Sequence, residues 1–127
     1  MKYLCLGYFN PEKMDASSKA EIETVLSECQ PHLKELYKSG QVIMDVGVDL
    51  EVKCLKRMNG KVEVTEGPEG PFDKTNEMIG SVFIIEALDI KEAIRVASLH
   101  PTTQLDAGEQ FNWRIEIRPI HYFEKRE

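Results

Sequence analysis

The chain has 127 residues, 42% of them hydrophobic and 30% charged, with 22 acidic against 16 basic side chains and a net charge of −6. That size suits one domain covering 1–127 with a sizeable core, and the composition excludes a disordered or fibrous chain. The acidic balance argues against nucleic acid or an anionic membrane surface as partner, and no apolar run reaches the ~18 residues that span a bilayer.

The opening KYLCLGYF, residues 2–9, is apolar on both faces and predicts a first strand covered on both sides rather than a signal peptide. NPEKMDASS reads as a polar connection. Ile22, Val25, Leu26, Cys29, Leu33, Leu36 and Tyr37 then recur at helical spacing, with Ser18 and Glu21 as a capping box and Gly40 as a stop. Pro31 falls inside this stripe, where a regular helix interior loses about 3 kcal/mol. The stripe keeps its register across it, which predicts one helix kinked near Ser27.

QVIMDVGVDL alternates Val42, Met44, Val46, Val48 and Leu50 against Ile43, Asp45, Gly47 and Asp49, the pattern of a half-buried strand. EVKCLKRM and KVEVT flank Asn59-Gly60, a strong hairpin signal. Residues 66–78, rich in Gly and Pro, form a loop, and GSVFIIEAL is the next strand. Asp89 with Glu92 starts a short helix that must end before Pro101. TTQLDAGEQ is a polar loop, and FNWRIEIRP a last strand with Phe111, Trp113, Ile115 and Ile117 on one face.

Two strand–helix–strand units in this order interleave as a ferredoxin-like antiparallel sheet, α+β in class, with both helices on one face and a hairpin inserted. The strands are apolar on both sides and nothing is left in the chain to cover the second face. A homodimer joined through the sheet faces is therefore expected.

Three cysteines, Cys5, Cys29 and Cys54, include no Cys-x-x-Cys pair, so reduced thiols in a cytoplasmic protein are expected rather than a disulfide framework. His32, His100 and His121 show no ligand spacing, and neither a metal nor a cofactor is expected.

GPFDKTNEMIGSVFIIEALDIKEAIRVASLHP, followed by WRIEIRPI, resembles the YCII-related proteins, in the branch named for an Asp-Gly-Pro-Phe motif. The resemblance is close over Gly70 to Ile120. It implies a dimeric α+β barrel in which two ferredoxin-like sheets pack face to face. Barrels related to it include isomerases, dehalogenases and cofactor-free monooxygenases acting on small molecules. This chain departs from the pattern in three ways: Glu69 stands where the motif has Asp, Gly80-Ser81 replaces Gly-Gly, and Glu66-Gly67-Pro68 duplicates the turn.

Glu69, braced by a Gly-Pro turn, is a candidate general base, or else a solvated loop carboxylate with Phe72 plugging the core. His100 is a candidate proton-transfer group, or else a cation favoured by a helix C-terminus. Asp73 is the reserve carboxylate. Phe72 would contact substrate, and Arg114 and Arg118 would hold a substrate carboxylate unless their face is solvated and ion-paired. Two functions fit. One is a small-molecule-binding protein running cofactor-free acid/base chemistry on a small organic acid or lactone, as an isomerase, lyase or dehalogenase would. The other is a non-catalytic dimeric ligand-binding or protein-interaction module.

Overall fold

Side chains of β1 (Lys2–Phe9) alternate between the two sheet faces. Tyr3, Cys5 and Gly7 are buried on one, while Leu4, Leu6 and Tyr8 on the other are only partly covered. The computed structural model describes residues 1–66 and 77–126. Along these run α1 (Pro11–Asp15), α2 (Lys19–Lys38), β2 (Val42–Gly47), β3 (Lys53–Met58), β4 (Lys61–Glu66), β5 (Met78–Glu86), α3 (Ile90–Ala97), α4 (Pro101–Gln104), α5 (Ala107–Gln110) and β6 (Arg114–Pro119).

Four strands form an antiparallel sheet in the order β2-β5-β1-β6. That is the ferredoxin-like order expected from two interleaved strand–helix–strand units. The register sets Tyr3 beside Ile85 and Cys5 beside Phe83 and Ile117. The core joins these to Leu36 of α2 and to Ala93, Val96 and Ala97 of α3.

Both long helices start where the sequence signals. Ser18 Oγ accepts from Glu21 N, and Asp89 Oδ1 accepts from Glu92 N. Glu92 also accepts from Leu88 N and from Gln41 Nε2, which ties the start of α3 to the start of β2. α2 runs unbroken across Pro31, and Gly40 leaves it at φ 71°, in the left-handed region where glycine has no Cβ penalty. The expected hairpin is present as a separate two-stranded sheet of β3 and β4, with Asn59 and Gly60 both at positive φ as a two-residue type I′ turn needs.

Three local readings are corrected. A bulge between Val42 and Met44 reverses the alternation of β2. Val42 stays against the core, but Met44 and Val46 turn to the opposite face and Asp45 and Gly47 to the helix side, so most of the strand is exposed rather than half-buried. TTQLDAGEQ is not a loop: it holds the short helices α4 and α5, opened by Pro101 at a first helical position and a His100 cap. β6 begins only at Arg114, because Asn112 at φ 57° breaks the extension that would have put Phe111 and Trp113 on the strand. Among the described residues no helix is long and apolar enough to cross a membrane.

Candidate functional site

The row Gly47–Ser81–Gly7 crosses three neighbouring strands in register on the helix-covered face of the sheet. Small side chains there leave the space under α2 unfilled. Further along the same face the larger Tyr3, Phe83 and Ile85 are buried in the core with Leu36 of α2. The result is a cleft of about 620 Å³, walled by Leu26, Cys29 and Leu33 of α2, Met14 of α1, and Phe9, Trp113 and His100. This volume is within the usual range for a small-molecule site. None of the described lining residues is Asp, Glu, Lys or Arg.

His100 is a buried and tightly held polar group of this cleft. It is only 8% exposed and follows α3, but it caps the N-terminus of α4. Its Nδ1 accepts from Thr102 N at 3.1 Å and lies 2.7 Å from Thr102 Oγ1. Its ring stacks on Phe83 of β5, with centroids 5.0 Å apart and 4° between the planes. Burial lowers its pKa below the usual histidine value, while the carboxylate of Asp45 acts in the other direction. The expectation of a cation at a helix C-terminus therefore gives way to a neutral ring at a helix N-terminus. The chain turns back into helix at Pro101, so the ring meets amide N–H groups rather than carbonyls.

Asp45 is opposite Phe83 in the register and is bonded by the Tyr37 hydroxyl, whose pKa that bond pushes up to about 12. Cys29 in the cleft wall has its thiol pKa raised by burial first and by Glu28 second, which keeps it protonated.

Arg114 and Arg118 do not join His100. They share the other sheet face, being registered opposite Tyr8 and Leu4. Arg114 donates to Glu77 at 2.9 Å and to Glu116 at 3.2 Å, and its guanidinium sits 4.1 Å over the Tyr8 ring. Glu116 also accepts from Arg118 and from the Tyr8 hydroxyl. This is the ion-paired face that the strand pattern allowed. Glu69, Phe72 and Asp73 lie outside the described residues. Among the described residues no group of three His, Cys, Asp or Glu side chains could hold a metal ion.

Gly7, Gly47, Thr102 and Asp45 were not singled out from the sequence as site residues, and Ser81 was noted only where it replaces a motif glycine. An isolated glycine inside a strand was the available signal, since it marks close approach or missing side-chain volume. No curated protein matches the chain. The family model of the YCII-related domain matches residues 1–115, taking in the first strand and helix that precede the stretch of close resemblance. The chain belongs to the YCII-related family.

Proposed function

We propose that this chain is a small-molecule-binding protein whose ligand occupies the cleft between α2 and the Gly47–Ser81–Gly7 row, with His100 as its polar anchor. The observation that carries this reading is an unfilled, largely apolar cleft closed at one wall by a buried and rigidly held histidine. Cofactor-free acid/base chemistry would use His100 on the acid side and Glu69 as the carboxylate base, with Asp73 in reserve. A lining with no charged side chain among its described residues suits a lactone better than an organic acid, and it gives Arg114 and Arg118 no part in binding.

The working unit is a homodimer. Leu4, Leu6, Met44, Val46 and Val82 lie around the already buried Ile84 on the face away from the helices, and a second copy would cover them. A cytoplasmic setting suits Cys5 and Cys29, which are free thiols. A module serving only to dimerise or to bind protein would have side chains filling the space under α2, so the cleft favours ligand binding over that second reading.

The test is a thermal-shift screen of lactones, ketones and small organic acids on wild type and His100→Ala. A ligand at 100 times its dissociation constant adds about 2.7 kcal/mol, a shift of several degrees. A hit lost in His100→Ala supports the reading. Equal melting of both proteins with every compound rejects it.

A further inference from the structure

The Thr102 backbone N–H can only donate, so the His100 Nδ1 that receives it must carry a lone pair. With Nδ1 unprotonated, the Thr102 hydroxyl is a donor to it as well. A neutral imidazole in this state holds its one proton on Nε2. Turning the ring over would set a carbon against the Thr102 N–H and strand a buried donor. Protonating Nδ1 would set donor against donor. Parallel contact with the fully buried Phe83 holds the ring plane. Nε2 is then the remaining polar atom of the ring at the cleft wall, with no hydrogen bond to it among the described residues.

Resting on the reading of the cleft as a binding site, we propose that His100 acts as a fixed hydrogen-bond donor through Nε2–H, and that the cleft takes an uncharged, largely apolar molecule bearing a carbonyl oxygen, such as a ketone, ester or lactone. A neutral imidazole N–H can polarise a carbonyl without changing its own charge. A ligand carboxylate would be buried with no described lining cation to compensate it, which is costly. The site thus discriminates against anions as well as for an acceptor oxygen. His100 activates or positions the carbonyl, and any base must come from elsewhere.

Two measurements test this on the full chain. Nitrogen-15 NMR of the histidine ring, without ligand, should show Nδ1 unprotonated and Nε2 protonated at pH 7; the reverse tautomer overturns the proposal. Titrations of acetophenone, ethylbenzene and benzoate, followed at the amides of Gly7, Ser81 and Trp113, supply the second. The acetophenone-to-ethylbenzene affinity ratio should fall about three- to tenfold from wild type to His100→Asn. That variant keeps a capping acceptor for Thr102 N but no longer reaches into the cleft with a ring N–H. An unchanged ratio, or benzoate binding wild type more tightly than acetophenone, overturns the donor assignment while leaving a binding cleft in place. Failure of all three compounds to perturb those amides overturns the binding reading itself. The tautomer and the wild-type benzoate comparison decide the matter even if the variant does not fold.

Discussion

His100 and Phe83 lie ring on ring, 5.0 Å between centroids and 4° from parallel, although one follows α3 and the other sits mid-strand in β5. This pairing puts the imidazole inside the protein, and its consequence is electrostatic. Burial holds the folded pKa of His100 below the unfolded value near 6.5, against the pull of Asp45.

The sign of the pH dependence follows. Between the depressed folded value and about 6.5 the unfolded chain binds a proton that the folded chain does not, so stability rises with pH through that window. The contribution is complete above about pH 6.5 and is lost as the pH falls, by at most about 1.4 kcal/mol per pH unit. Melting temperatures of wild type and His100→Asn, compared from pH 8 down to 5, should converge or cross on acidification. The comparison cancels the carboxylates common to both proteins that do not act on His100. Wild type gaining on the variant in acid would mean that the folded ring is charged.

Two glycines near the cleft should respond in opposite ways. A Cβ on Gly108 would sit 2.3 Å from the Thr102 backbone oxygen, a clash that no side-chain rotation relieves. Gly108→Ala should cost about 1–3 kcal/mol and displace the His100 ring resonances through Thr102. A Cβ on Gly47 meets nothing within 4 Å. Gly47→Leu should therefore leave the melting temperature close to wild type while filling the cleft and removing ligand shifts at Ser81. A Gly47→Leu protein that still binds would place the ligand elsewhere.

Much of the frame was legible in the sequence because its signals are local and redundant. Ser18 with Glu21, Asp89 with Glu92, and Asn59-Gly60 each specify a backbone geometry within four residues, and all three are present. The cleft is different. Gly7, Gly47 and Ser81 are far apart in the chain and become one surface only through strand register. That register includes a bulge at β2 which no periodicity announces. α1, α4 and α5, at five, four and four residues, are too short to display a helical stripe. The alternation of Arg114, Glu116 and Arg118 was plain, but which face the helices cover is a tertiary fact.

Among the described residues the β3–β4 hairpin pairs only with itself, and Leu55, Val62 and Val64 on it are exposed. Gly60 sits at φ 78°, where a side chain costs about 1–2 kcal/mol. Because the hairpin is a separate unit, Gly60→Ala should loosen it without unfolding the domain. Hydrogen exchange should accelerate at amides of residues 53–66 with the main melting transition nearly unmoved. A drop of several degrees, the response of a domain this size to about 1 kcal/mol, would show that the hairpin is packed into the cooperative unit.

Val46 and Val82 are registered side by side on the helix-free face, with Leu6 across from Val82 and Met44 next to Ile84. Arg114, Glu116 and Arg118 continue that face along β6 as a charged border. An apolar centre with a polar edge is the composition of an interface between copies. In a two-fold dimer each substitution is made twice, and Val46→Glu buries two carboxylates in an apolar contact. Sedimentation should give twice the chain mass for wild type and the chain mass for Val46→Glu. The variant should keep the wild-type helical spectrum, since Val46 lies outside the core. A monomeric wild type at micromolar concentration would remove the dimer from the proposed function and leave the cleft, which lies on the other face, untouched by the result.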